Sequence, residues 1–450
     1  MTETPSAAHV PSGHESRAIA IVGAGVAGLS AAWDLARAGH NVTIYESGPS
    51  VGGLAAGFKD DRWDWSLEKF YHHWFETDAD LLKLAAETGL REKIIFPRPK
   101  TSYWLDGKIY RSEMNASVLK LPLSPVALLR LGLAGVFLKL TPWWQALERT
   151  TAQRWMKRWM GKQVYETLWR PLLIGKFGDR FDKVNMAWMW ARIKARSVRL
   201  GTYEGGFQAF MDALADAVRA QGVEICLDTR VTAISASADG VELKLDDETR
   251  TFDQVLTTTS PKLLLSHAPE IRSTPYGKQV DALDSIGAVC VVLALKQSLL
   301  ADGTYWLNLP AVSADKTKNP FPFLALVEHT NWMDKQHYGD DILVYCGDYA
   351  DPGHEYFTMS DEALVDRFIA ALPAINPSFD KSWIRRSWVW RAPYAQPVPG
   401  LNHSQNIPDL ETPVRGLWWA SMSQVYPWDR GTNFAVEIGR RAARRMLEQG

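Results

Sequence analysis

Gly23, Gly25 and Gly28 stand in the spacing G-x-G-x-x-G, and a carboxylate, Glu46, follows 23 residues after the first of them. Each glycine in this spacing has its own use. The first permits a tight turn, the second lets a pyrophosphate reach the backbone, and the third lets a helix pack closely on a strand. Val26 and Ala27, between the second and third glycines, fall at the positive end of the helix that follows. Glu46, with Ser47 beside it, can accept hydrogen bonds from both hydroxyls of an adenosine ribose and repels a 2′-phosphate, which disfavours NADP. A glycine pair, Gly52-Gly53, comes six residues after Glu46 and is followed by Leu54.

A second group able to do chemistry is the pair His72-His73 in the aromatic run EKFYHHWF. The ordinary pKa of imidazole lies near neutrality, which suits a proton donor or acceptor. The plainer alternative is a ring that hydrogen-bonds a backbone carbonyl and packs among aromatics. Two basic groups, Arg192/Lys194/Arg196/Arg199 and Arg385/Arg386/Arg391, have the chemistry to anchor a carboxylate or diphosphate. Alternate basic residues on a helix more often form its solvated face, and that is the expectation adopted for them. Cys226, Cys290 and Cys346 are too widely spaced for a disulfide framework or a zinc site, so no metal is expected.

These residues need elements to position them. Residues 18–22 (AIAIV) form a β-rich run ending at the first glycine, 29–38 have helical composition, and 41–45 (NVTIY) are a strand closing on Glu46. From 78 to about 199 the pattern is mainly helical. Within 142–160, Trp144, Leu147, Thr151, Trp155 and Trp159 recur at three- and four-residue steps, predicting one continuous helix. A helix at 207–221 precedes strands at 224–227, 231–234, 241–245 and 254–258, which would complete a nucleotide-binding sheet. Strands at 288–295 and 342–346 predict a second sheet, and a strand at 417–420 leads to a helix from about Asn433.

Composition narrows the function. The 450 residues carry 50 Lys+Arg against 51 Asp+Glu, so no basic excess favours nucleic acid as a partner. Residues 1–17 are polar with two prolines and read as a loose tail, not a signal peptide. The longest apolar run, 125–140, is broken by Arg130 and Lys139 and is shorter than the ~20 residues of a membrane crossing. A soluble cytoplasmic protein is expected, with peripheral membrane contact through 125–140 left open. The 20 tryptophans lie mostly outside the nucleotide unit, predicting a broad aromatic pocket and a bulky, largely apolar small-molecule substrate.

The run GAGVAGLSAAWDL…YESGPSVGGLAAGF resembles the FAD domain of the superfamily of amine oxidases, protoporphyrinogen oxidases and phytoene desaturases. GTYEGGFQAF (201–210), TRVTAI (229–234) and LWWASMSQVYPWDRGTNFAVEIGRRAA (417–443) resemble its later motifs in the expected order. The resemblance implies a fold of class α/β: a glutathione-reductase-like FAD-binding Rossmann domain (18–77, 200–265, 413–450) interleaved with a mixed α+β cap (78–199, 266–412) that makes the substrate pocket. It implies non-covalent FAD. Gly52 and Gly53 would pass its phosphates and ribityl chain, and Val231 would meet its adenine. The amides of Asn433, Phe434 and Ala435 would face the flavin pyrimidine ring, with Asp429 a placed ion nearby. Two positions depart from the pattern. Leu54 replaces a common basic residue, and Ala420-Ser421-Met422 replaces a glycine and an acid, leaving Ser421 as a weaker substitute. The EKFYHHWF loop is similar to the histidine loop of UDP-galactopyranose mutase, which makes His72 and His73 catalytic candidates. The function implied is hydride removal from the substrate, with O2 or another electron acceptor as partner. The rivals are a flavin-dependent sugar mutase and a GDP-dissociation-inhibitor-like binding protein.

Overall fold

The computed structural model describes residues 15–111, 121–246 and 248–449, so the tail expected at 1–17 lies outside the described residues except at its end. Among the described residues, five parallel strands form one sheet. They are β1 (Ala18–Val22), β2 (Asn41–Tyr45), β5 (Glu224–Cys226), β9 (Gln254–Thr257) and β15 (Leu417–Trp419), in the order β5-β2-β1-β9-β15. A parallel sheet covered on both faces requires nearly continuous apolar strands, and AIAIV at the centre meets that need. In β15, Trp418 points to the face carrying α1 (Val26–Arg37), α8 (Phe207–Arg219) and α10 (Thr432–Glu448). Trp419 points to the opposite face, covered by the antiparallel strands β6 (Ala233–Ser237), β7 (Gly240–Lys244) and β8 (Thr249–Phe252).

Two local expectations are corrected here. α1 begins at Val26, not at 29, because Gly25 is already its N-cap. The strand expected at 231–234 begins at Ala233, and Val231 is a buried residue of the preceding loop.

Among the described residues, a second sheet has seven strands: β3 (Thr101–Leu105), β4 (Lys108–Arg111), β10 (Ser285–Leu295), β11 (Trp306–Asn308), β12 (Ala325–Glu328), β13 (Ile342–Ala350) and β14 (Ile384–Pro397). Its order is β14-β10-β13-β12-β11-β3-β4, antiparallel except between β11 and β3. The side chains of β10 alternate with period two. Val289, Val291 and Leu293 face α9 (Asp361–Ile369) and its core, whereas Cys290, Val292 and Ala294 face the aromatic segment 58–75. That second face is where the sheet meets the candidate histidine loop.

A helical layer completes the molecule: α3 (Pro125–Leu140), α4 (Trp144–Leu147), α5 (Ala152–Trp159), α6 (Arg170–Phe177) and α7 (Met186–Ala195). The single helix expected over 142–160 is two helices. Thr151 Oγ1 accepts the Arg154 amide at 3.2 Å and caps α5, while Ala152 N donates to Val184 O at 2.8 Å. A capping threonine, with the next residue bonded to a distant segment, outweighs a periodic tryptophan stripe. α7 is buried all round over Met186 to Ala191, as a central helix must be. No helix among the described residues is long and apolar enough to cross a membrane.

Candidate active site

The glycine turn joins β1 to α1. Gly23 has φ +106°, a conformation open to glycine, and a Cβ on Gly28 would stand 2.1 Å from Gly23 O. Gly25 differs: its φ is −72°, and a Cβ there would meet nothing nearer than Gly53 Cα at 4.0 Å. Gly25 and Gly52 pair as an isolated bridge, with Gly52 N donating to Ala24 O at 2.9 Å, so the two glycine motifs form one cradle. Gly53 is exposed within it, and Leu54 beside it is also exposed. Among the described residues no side chain caps the start of α1, where Val26, Ala27 and Gly28 lie. Uncapped amides at a helix start, facing a space that a Cβ would fill, fit the pyrophosphate of a dinucleotide.

Glu46 is half-buried at the end of β2. Its Oε2 accepts the Ala24 amide at 2.9 Å and its Oε1 the Gly48 amide at 2.9 Å, with the exposed Ser47 hydroxyl at 3.4 Å. The carboxylate therefore sits against the glycine turn, where it can reach a ribose. Glu46 O also receives the Thr229 amide at 2.8 Å, which draws the loop carrying Val231 to the same edge.

The start of α10 supplies the second half. Gly431 is its N-cap and no side chain among the described residues caps it, which leaves the amides around Thr432, Asn433 and Phe434 for a negatively charged group. The Asn433 side chain is engaged elsewhere: Oδ1 accepts the Asp80 and Leu81 amides at 2.9 and 3.0 Å, capping α2 (Ala79–Glu87). Phe434 stacks on Trp428 with ring centroids 5.6 Å apart, and Ala435 N closes the first helical turn onto Gly431 O. Ser421 is buried with its hydroxyl 2.7 Å from Tyr394 OH on β14, so it is held by the second sheet. Gly439 brings α10 against α1, so the two uncapped helix starts belong to one packed unit.

The loop 68–75 runs between this unit and the second sheet. His72 Nδ1 lies 2.6 Å from Phe70 O, which requires the proton on Nδ1 and leaves Nε2 as a bare acceptor. His73 Nε2 lies 2.6 Å from Tyr305 OH, and its ring packs against Trp306 and Trp332. Burial drives both imidazoles down, His72 to about 4 and His73 to about 3, and the nearby Arg430 charge adds to the effect on His72. Both rings are therefore neutral near pH 7, not poised there. Glu68 anchors the start of the loop: its Oε1 accepts the Phe207 amide at 3.1 Å at the start of α8, and burial raises its carboxyl to about 7.

Beside α10 lies a half-buried ionic cluster. Asp429 Oδ2 pairs with Arg192 Nη1 at 2.6 Å, and its Oδ1 accepts from Trp188 Nε1 at 2.9 Å and Gln396 Nε2 at 3.1 Å. Burial would raise the Asp429 carboxyl, but Lys176, Arg192 and Arg430 outweigh it and hold the group well below the usual carboxylate range. The solvated face expected for the first basic group is corrected at Arg192, which turns inward to Asp429 from α7. Arg385, Arg386 and Arg391 are likewise committed, to Asp341 with Asp60, to Asp60, and to Asp361. Lys176 in α6, Trp188, Gln396 and Tyr349 joined the site without a sequence signal, because their partners lie far away in the chain. Gly439 did have one, a small residue within the helical part of the last motif.

The aromatic packing around the loop is dense. Phe58 packs against Trp63, Trp388 and Trp390 with centroids 5.6, 5.1 and 5.0 Å away, and Tyr71 meets Trp306 edge-on at 4.9 Å. Gly347 on β13 makes room for Tyr71, since a Cβ there would fall 2.2 Å from its ring.

The family described as flavin containing amine oxidoreductase matches residues 26–447. The chain is 23% identical to a probable zeta-carotene desaturase of Synechococcus elongatus, over 96% of this chain and 98% of that protein. Among solved structures it resembles a putative protoporphyrinogen oxidase from Exiguobacterium sp., with TM-score 0.75 and 19% identity over 97% of this chain and 100% of the other. It also resembles reduced UDP-galactopyranose mutase, with TM-score 0.75 and 15% identity over 97% and 96% of the two chains. At these identities the structural likenesses establish the fold.

Proposed function

The chain belongs to the flavin containing amine oxidoreductase family and is an FAD-dependent oxidoreductase, and from that premise we propose that it oxidises a bulky, largely apolar or aromatic small molecule. The bond broken is a C–H next to nitrogen, or one at an allylic or tetrapyrrolic carbon, and O2 or another acceptor takes up the electrons. When bound, FAD supplies the hydride acceptor at its N5. The residues assigned to hold it are Gly23, Gly25, Val26, Ala27, Gly28, Glu46, Ser47, Gly52, Gly53, Leu54, Val231, Ser421, Asn433, Phe434 and Ala435, with Asp429 nearby.

The observation that supports a bulky substrate is the aromatic wall built by Tyr71, Tyr305, Trp306 and Trp332 around the histidine loop. Of the two histidines, His73 is engaged with Tyr305, whereas His72 keeps Nε2 as a neutral acceptor for a substrate N–H or O–H. Its role is to orient, because burial keeps it from taking up a proton near pH 7. Anaerobic mixing of the purified yellow protein with amines, porphyrinogens and polyenes, and incubation of the reduced protein with UDP-galactofuranose, test the reading. Bleaching by a bulky apolar compound supports it. Bleaching by small amines alone, or isomerisation of the sugar nucleotide without net oxidation, overturns it.

The surface of α3 supports a second proposal, contact with an anionic membrane surface. Val126, Leu129, Leu133, Val136 and Leu140 are 67, 62, 63, 59 and 73% exposed and recur along one side of the helix, with Trp143 nearby at 70%. Isolated exposed apolar residues are ordinary, whereas a continuous row of them marks an interaction site. Residues 122–163 carry seven Lys or Arg and a single acid, Glu148, which is buried against Ser404. An apolar row rimmed by basic residues suits acidic lipid headgroups. Flotation with vesicles containing phosphatidylglycerol should carry the wild-type protein and leave Leu133→Glu behind. Equal flotation of the two would dismiss the contact.

A further inference from the structure

The ionic cluster beside α10 is unbalanced. Lys176, Arg192, Arg196 and Arg430 surround one carboxylate, Asp429, whose two oxygens are already taken by Arg192, Trp188 and Gln396. Lys176 is 8% exposed and lies over the rings of Tyr349 and Trp188, at 4.6 and 5.5 Å. Arg430 donates to Tyr349 OH, and its Nε is buried with no hydrogen-bond partner among the described residues. Arg196 follows the end of α7, near Arg192 and Tyr103, and forms no ion pair among the described residues. Arg196 is itself exposed, beside the buried Lys176 and the half-buried Arg430. Cations held out of water without counterions are costly, and one left free beside them completes a set suited to an anion.

We infer that Arg196, Lys176 and Arg430 form an anion subsite of the active site, which takes a carboxylate or phosphate group on the otherwise apolar substrate. This rests on the oxidoreductase reading, because it places one end of that substrate. Two further observations support it. Burial first, then repulsion from Arg192, lowers the Lys176 ammonium well below its ordinary range, so an arriving anion would relieve a strain already present. Lys139 Nζ, near the end of α3, donates to the carbonyls of Lys194 and Arg196 at 2.9 and 3.0 Å. The exposed apolar helix is thus fastened to the chain that carries Arg196, the arrangement an amphiphile with an anionic head would use.

The test uses FAD-loaded protein and four probes below their micelle-forming concentrations: decyl phosphate, decanoate, decanol and decylammonium. Binding is read by calorimetry and by perturbation of the flavin absorbance. At least one anion should bind about tenfold or more tightly than decanol and decylammonium, and Arg196→Met should weaken it about tenfold, with partial recovery in Arg196→Lys. Arg196 is chosen because, unlike Arg192, its loss leaves no paired carboxylate behind. The better of decyl phosphate and decanoate identifies the headgroup. Equal binding of all four probes, or unchanged anion affinity in Arg196→Met, overturns the subsite. So does a shifted flavin midpoint potential in Arg196→Met without loss of probe affinity, since the cations would then serve the cofactor. A protein that takes up no FAD fails the oxidoreductase reading before any probe is added, so the two failures are distinct.

Discussion

Gly439 in α10 lies so close to α1 that a Cβ on it would stand 2.2 Å from the carbonyl oxygen of Ala27. The helices that touch there are the two whose uncapped N-termini flank the assigned cofactor site. Gly439→Val should force them apart at a cost of about 1–3 kcal/mol in stability. It should also loosen FAD, because the two sets of amides would no longer converge. Thermal melts with and without FAD, and release of FAD fluorescence on dilution, measure both effects. A variant with wild-type melting and wild-type FAD retention would show the close approach to be dispensable.

Gly25 and Gly28 separate folding from binding. A side chain at Gly25 has ordinary backbone geometry and open space in front of it, whereas one at Gly28 meets Gly23 O at 2.1 Å. Gly25→Val should therefore fold as an apoprotein with a melting temperature close to wild type and fail to retain FAD. Gly28→Val should lose stability whether or not FAD is supplied. If Gly25→Val purified with a full complement of FAD, the pyrophosphate would have to lie elsewhere.

The same contrast explains what was legible in the sequence. The unit β1–α1–β2 could be read because its signals are local: an apolar run, fixed glycine spacings and a strand that ends on an acid. The second sheet could be read only at its two longest apolar strands, β10 and β13. Its other members are short or, like β14 with Arg385, Arg386 and three tryptophan or tyrosine side chains, mixed in character. The Thr151 break was hidden because the tryptophan stripe continues in step across it, while the backbone partner that fixes it, Val184, is remote. Arg192 read as a solvated residue because Asp429, 237 positions away, meets it only in the fold. Neighbours in sequence give periodicity, but the electrostatics of the site depend on residues that only tertiary packing brings together.

The histidine environments predict an absence of titration near neutrality. Burial lowers His72 to about 4 and His73 to about 3, so both rings should take up protons only in acid. Ring-carbon NMR of histidine-labelled protein, with His72→Asn and His73→Asn used for assignment, checks this directly. A midpoint between pH 6 and 7 for either ring would mean that it is more solvated than its place in the loop allows, and would return it as an acid–base candidate.

Glu68 gives a pH dependence whose sign is fixed. Burial raises its folded carboxyl from 4.5 to about 7, against the smaller opposing effect of hydrogen bonds that include the Phe207 amide and Tyr345 OH. The folded state thus holds this proton more tightly than the unfolded chain. The associated stability is fully present below about pH 4.5 and is lost as the pH rises through 7, a swing on the order of 3 kcal/mol. A glutamine in its place would keep a carbonyl oxygen for the Phe207 amide and carry no charge, so Glu68→Gln should melt near the wild type at pH 4.5 and above it at pH 8. Other buried carboxyls, such as Asp78 and Asp348, are common to both proteins and drop out of the difference. Melting curves of the pair from pH 4.5 to 8 decide the matter. Parallel curves would show that Glu68 is ionised throughout, and that the start of α8 is capped by a carboxylate instead of a carboxylic acid.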